Sequence, residues 1–207
     1  MSHVVLLGDS IFDNAAYVSN GPAVIDQLRS ALPRDWRATL LAVDGDTSGM
    51  VSVRLADLPR DATHLVVSAG GNDALLNIHL LEAEHNVLPE IAEARQQFAE
   101  QYRGMLDAVL SHGLPTAVCT VYDSVPGLLQ PAKTALATFN DVILREAARS
   151  KCPVLDLRLL CNDAADYSEL SPIEPSAIGG AKIANLIAQV VTTHDFDRPS
   201  CVLYWTK

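Results

Sequence analysis

The first apolar run of the chain, His3-Val4-Val5-Leu6-Leu7, leads straight into Gly8-Asp9-Ser10. A serine directly after a buried strand sits on a sharp strand-to-helix turn, with its hydroxyl exposed above the sheet as a candidate nucleophile. The glycine tolerates the tight backbone, and the serine's own N–H can point at an oxyanion. Alone, the tripeptide reads equally well as an Asp-Ser turn that caps the next segment. Two later loops add weight. Asp44-Gly45-Asp46-Thr47-Ser48 follows the second run, and Gly45 lets a backbone N–H approach a ligand, although by itself this is an ordinary Asp-Gly turn. Gly70-Gly71-Asn72-Asp73 follows the third, and the Asn72 amide can donate a hydrogen bond into a cleft. One nucleophile and three donors around a point is the arrangement acyl transfer needs.

The elements that must position these residues alternate. Strands are expected at 3–7, 37–43, 64–68, 116–122 and 153–157, and helical patterns at 21–32, 50–58, 89–110, 132–150 and 176–192. In the long helix Ile91, Phe98, Tyr102, Met105, Leu106 and Val109 recur near helical spacing. Strand then helix, five times over, means βαβ units and a parallel sheet covered on both faces. The strands are almost continuous apolar runs, as burial on two sides requires. In such sheets ligands bind beyond the carboxyl ends of the strands. Five such ends carry polar groups: Ser10, the 44–47 loop, Asn72 with Asp73, Tyr122 with Asp123, and Arg158. Residues 75–89 are expected to form much of the pocket wall. The tail from Asp195 to Lys207 is expected to pack back on the domain or on a partner.

Gly-Asp-Ser at 8–10, Gly-Asp-Thr-Ser at 45–48 and Gly-Gly-Asn-Asp at 70–73 resemble the first three sequence blocks of the SGNH (GDSL-like) hydrolases, in order and spacing. The resemblance spans essentially the whole chain, 1–207, as a single domain. It implies a flavodoxin-like three-layer α/β/α fold with a five-stranded parallel sheet, and ester or thioester hydrolysis through an acyl-enzyme. Ser10 then matches the nucleophile, and Gly45 and Asn72 the oxyanion donors; no cofactor or metal is implied.

The fourth block departs. The family closes with Asp-x-x-His-Pro before the last helix, and the matching stretch here is Ser171-Pro172-Ile173-Glu174-Pro175. Glu174 stands at the histidine position and Ser171 at that of the orienting aspartate. A glutamate can act as general base if it lies within hydrogen-bond reach, and burial would raise its ordinary pKa of about 4.3 toward the useful range. It has no tautomer to fix, so losing the aspartate is consistent with losing the histidine. The competing reading is a catalytically inactive SGNH-fold protein that binds an acyl or carbohydrate ligand. His3, His64, His112 and His194 fall at the wrong edge of the sheet or after the last helix, which leaves His79 and His85 as substitute bases. Asp9 is expected to bond backbone N–H groups in the nucleophile turn, and Asp123 to line the pocket. Arg158 either pairs with Glu174, binds an anionic substrate, or forms a structural pair with Asp156 or Asp166.

Composition sets limits. The 207 residues are 49% hydrophobic with few aromatics, so the core is built of Leu, Val, Ile and Ala. A net charge of −10 disfavours nucleic acid and anionic membrane as partners and leaves a small-molecule ester as the expected one. No apolar run reaches the roughly 18–20 residues that span a bilayer, and the start of the chain does not read as a signal peptide. Cys119, Cys152, Cys161 and Cys201 match no zinc spacing and read as buried reduced thiols in a cytoplasmic protein; a Cys152–Cys161 bridge is the option if the chain is exported. Oligomeric state and natural substrate are not legible.

Overall fold

Val4 and Leu6 enter one apolar cluster, Val5 and Leu7 another, and all four are fully buried. This alternation means that both faces of the first strand are covered, with a layer of helices on each side. The computed structural model describes residues 1–19, 21–82 and 86–205. The strands are β1 (Ser2–Gly8), β2 (Trp36–Leu40), β3 (His64–Ser68), β4 (Thr116–Cys119), β5 (Val154–Leu155) and β6 (Leu203–Tyr204). They form one parallel sheet in the order β2-β1-β3-β4-β5-β6. The helices are α1 (Val24–Ala31), α2 (Ser48–Arg54), α3 (Gly71–Leu75), α4 (Leu88–Leu110), α5 (Gln130–Ser150), α6 (Leu157–Leu160) and α7 (Ala177–Thr193). Val24, Leu28, Ile183 and Ile187 of α1 and α7 cover the face that carries Val4 and Leu6. Val51, Tyr102, Met105 and Ile143 of α2, α4 and α5 cover the other.

The three-layer α/β fold is the expected one, with one more strand than the five anticipated. The sixth comes from the tail: the carbonyls of Val202 and Tyr204 accept the N–H groups of Val154 and Asp156 at 2.8 and 2.7 Å, which pairs the otherwise open edge of β5. Regular pairing of β2 ends at Leu40, because the N–H groups of Leu41 and Ala42 both turn onto the Leu6 carbonyl. The expected helix over 50–58 is α2 followed by a 3-10 turn, Leu55–Asp57. The run after Cys119 leaves the ladder as well, with the buried Asn140 side chain bonding both the N–H and the C=O of Val121.

All four cysteines are free thiols. Cys152 packs in the α4/α5 layer and Cys161 in the α1/α7 layer, so the sheet separates them. The bridge considered between these two is therefore ruled out by topology rather than by redox state.

Candidate active site

The order β2-β1-β3 places the end of β1 beside the end of β3, the point where strand order reverses and a crevice opens. Ser10 leaves β1 there. Gly8 has φ +142°, and a Cβ on it would come within 1.9 Å of the Ser68 carbonyl oxygen on β3, so only glycine fits. The turn is closed by the N–H groups of Phe12 and Asp13, which donate to the Asp9 carbonyl, and by the Ile11 N–H, which donates to the Asp9 carboxylate at 3.1 Å. Asp9 thus has the backbone-bonding role expected of it. It is also deeply buried, and its pKa is pushed up to about 7, chiefly by burial and further by the charges of Asp73 and Asp44, against the opposing Ile11 N–H.

Asn72 is the second residue of α3, directly after β3. Its Nδ2 donates to the Asp46 carbonyl at 3.0 Å, which uses one of the two amide protons and fixes the side chain. Asp73 accepts from the Ser48 N–H at 3.0 Å and from the Ser48 hydroxyl at 2.7 Å. Residues 72 and 73 therefore clamp the 45–48 loop. On the loop's other side Asp44 accepts from the Tyr17 hydroxyl at 2.6 Å, and its N–H donates to Asp13. Gly45, with φ +83°, lies between these two tethers and faces open space.

Glu174 arrives on a segment held mainly through its backbone. The Tyr122 hydroxyl donates to the Ile173 carbonyl at 2.6 Å, the Ser168 N–H to the Glu174 carbonyl at 2.9 Å, and Asn14 Nδ2 to the Pro175 carbonyl at 3.0 Å. Ser176 then caps α7 by accepting from the N–H groups of Ile178 and Gly179. The helix start is pressed against the preceding loop: a Cβ on Gly179 would lie 2.1 Å from the Asp166 carbonyl oxygen. Glu174 is only 4% exposed and Ser10 9%. Burial raises the Glu174 pKa, the hydroxyls of Ser171 and Ser10 draw it back down, and the nearby charge of Asp44 raises it again. Glu174 Oε2 has no hydrogen-bond partner. The carboxylate is thus buried, only loosely satisfied, and adjacent to the Ser10 hydroxyl.

Behind Ser10 and Asn72 lies a cavity of about 130 Å³, lined by Asp9, Ser10, Asn72 and Asn77 among mostly apolar side chains. Ile78, Ile91, Leu136 and Phe139 are among its walls. Its size is comparable to that of an apolar cavity that admits benzene. Of the expected wall segment, Leu75, Asn77, Ile78, Leu80 and Leu81 line the cavity, and the first turns of α4 and α5 supply as much of it. The usable signal was the continuation of apolar residues, Ile91, Ala94, Ala132, Ala135 and Leu136, beyond the end of the sheet.

The remaining candidates separate clearly. Arg158 lies in α6 and binds Asp156 through two bonds of 2.7 and 2.6 Å, so it pairs with neither Glu174 nor Asp166. Asp166 takes Lys182 instead. Asp123 is half-buried, and its charge acts on Arg158 and Tyr167; it is not among the cavity's lining residues. His3 bonds Thr39, His64 stacks on Trp36, and His194 bonds Tyr204, each remote from Ser10 in the fold. His79 is exposed on the 3-10 turn Ile78–Glu82 and does not line the cavity, although Ile78 and Leu80 do. His85 lies outside the described residues. Among the described residues no cluster of three or more His, Cys, Asp or Glu side chains could hold a metal ion, and no helix is long and apolar enough to cross a membrane.

Residues 6–181 match the model of the GDSL-like lipase/acylhydrolase family. No curated protein matches the chain in sequence. Solved structures share the fold at low identity. A lipase from a goat rumen metagenome superposes with a TM-score of 0.71 at 17% identity, over 89% of this chain and 94% of its own. The extracellular lipase of Streptomyces rimosus gives 0.68 at 18%, over 94% and 100%. An acetyl xylan esterase gives 0.68 at 16%, over 91% and 99%.

Proposed function

We propose that this chain, which belongs to the GDSL-like lipase/acylhydrolase family, hydrolyses esters or thioesters through an acyl-enzyme on Ser10, with Glu174 as general base. The observation that supports this reading is the buried Glu174 carboxylate, raised in pKa and with one oxygen unpartnered, against the Ser10 hydroxyl. As Ser10 Oγ attacks the acyl carbon, Glu174 takes its proton. The oxyanion is met by the free N–H of the Asn72 amide and by the backbone N–H groups of Ser10 and Gly45. Glu174 then returns the proton to the leaving alcohol or thiol. A water, deprotonated by Glu174, releases the acid and restores Ser10.

The charge balance explains both substitutions in the fourth block. An imidazole base becomes a cation and benefits from an aspartate beside it. A glutamate base becomes neutral, so its negative charge passes to the oxyanion and no new charge pair forms. An aspartate at 171 would repel the resting Glu174, whereas the Ser171 hydroxyl can donate to it. The apolar cavity behind Ser10 suits an acyl group of short to medium hydrocarbon character.

A fluorophosphonate probe tests the nucleophile. Stoichiometric labelling of Ser10, lost in Ser10→Ala, is the expected result. Wild-type protein that takes no label and cleaves nothing in a broad ester panel would favour the alternative, a non-catalytic protein that binds an acyl or carbohydrate ligand.

A further inference from the structure

The β5–β6 ladder pairs Val154 with Leu203 and Leu155 with Tyr204. The bond from the Val154 N–H to the Val202 carbonyl belongs to the first of these pairs. Just before the ladder, at the same offset, stand Cys152, whose N–H closes the end of α5 on the Ala147 carbonyl, and Cys201. Residues two apart on a strand share a face, so both side chains fall on the side of Val154. The packing agrees: Cys152 is buried in the α4/α5 layer with Val154, and Cys201 packs against that layer from a half-exposed position. Neighbouring strands run about 4.8 Å apart, inside the Cα–Cα span of roughly 4.4–6.8 Å that a disulfide bridges. Cys119 and Cys161 lie in the opposite layer, across the sheet.

We infer that Cys152 and Cys201 are a disulfide-forming pair that fastens the C-terminal strand to the sheet under oxidising conditions. With glutathione disulfide as oxidant, the accessible Cys201 thiolate attacks one of its sulfurs and expels one glutathione. Cys152 then attacks the Cys201 sulfur of the mixed disulfide and expels the second. Two protein thiols are oxidised, and one glutathione disulfide is reduced to two glutathiones. The second step needs Cys152 to be uncovered. Because β6 is only two residues long, fraying of the tail provides that access. The closed loop spans roughly 50 residues and encloses Glu174 and all of α7, so the bridge removes much freedom from the unfolded chain.

The test equilibrates the full-length protein in glutathione buffers of increasing oxidation. It then reads free thiols after denaturation, intact mass, linked peptides and Tm. The expected result is a fall from four thiols to two, the mass loss of two hydrogens, a Cys152–Cys201 peptide, and a Tm higher by about 5–10 °C. Cys119→Ser and Cys161→Ser should still form the bridge, and Cys201→Ser should not. A stable glutathione adduct on Cys201, linkage to Cys119 or Cys161, or four thiols retained in the most oxidising buffer would each overturn the pairing. A bridge that formed without moving the Tm would refute its fastening role.

Discussion

Asp9→Asn should stabilise this protein at neutral and alkaline pH while doing little in acid. Asp9 is buried beside Ser10, with its pKa raised from 3.8 to about 7, chiefly by burial. In the unfolded chain the carboxyl ionises near its ordinary value. Between those two pKa values the unfolded chain has lost the proton that the folded protein retains, so unfolding becomes easier as pH rises. The stability contribution is complete below about pH 4 and gone above about pH 7. Three pKa units at 1.36 kcal/mol each give about 4 kcal/mol as the upper figure, and water reaching the carboxyl from the cavity reduces it to about 2–4 kcal/mol. Asparagine keeps an oxygen for the Ile11 N–H and carries no charge. Its new N–H₂ group adds an offset that does not depend on pH. Urea unfolding followed by tryptophan fluorescence at pH 4, 5, 6, 7 and 8 supplies the curves. The gap between variant and wild type should widen from pH 4 to pH 7 and level off by pH 8. Parallel curves would show that Asp9 ionises in the folded protein as readily as in water, and would refute the burial argument.

Three further outcomes bear on the site. Glu174→Gln should lower the rate of Ser10 acylation by about 10²–10⁴ yet leave neutral-pH stability equal or higher, because the raised Glu174 pKa makes ionisation a cost to folding as pH climbs. Wild-type turnover in that variant, measured free of host esterase, would redirect the search to His79 or His85. Asn72→Ala should lower kcat on p-nitrophenyl acetate about a hundredfold, roughly 3 kcal/mol, and cost about 1 kcal/mol in urea unfolding through loss of the Asp46 bond; unchanged kinetics would reduce Asn72 to a loop clamp. Ala135→Phe, on the cavity wall, should depress hydrolysis of p-nitrophenyl octanoate far more than of the acetate; an equal effect on both would mean that the acyl chain lies elsewhere.

The parts of the fold that announced themselves in the sequence were those whose burial dictates residue type. Val4–Leu7, Leu65–Val67 and Ala117–Cys119 are apolar without interruption because both faces are covered. β6 gave no such signal: two residues at an edge, with Leu203 partly exposed, need only backbone pairing. α3 was hidden because Gly70-Gly71-Asn72-Asp73 reads as a loop, and only the fold shows that it starts a helix. Ser10 and Asn72 were legible from the strand ends, and Glu174 from its place before the last helix. The constraints on them were not. That Asp46 takes one Asn72 proton, that Asp44 bears on Glu174, and that Arg158 is committed to Asp156 all depend on loops brought together from distant parts of the chain.

The contact between Gly179 and the Asp166 carbonyl bears on which positions could be varied in a library. At this point the strap that carries Glu174 is located by main chain meeting main chain, with no side chain between them that could shrink to make room. A larger residue at 179 would lift the start of α7, and Glu174 with it, and no neighbouring substitution could restore the distance. The walls at Ile91, Ala135 and Leu136 belong to other helices and answer to side-chain volume alone. Diversity aimed at new acyl groups therefore belongs on α4 and α5, and a randomised position 179 should return glycine from any selection for activity.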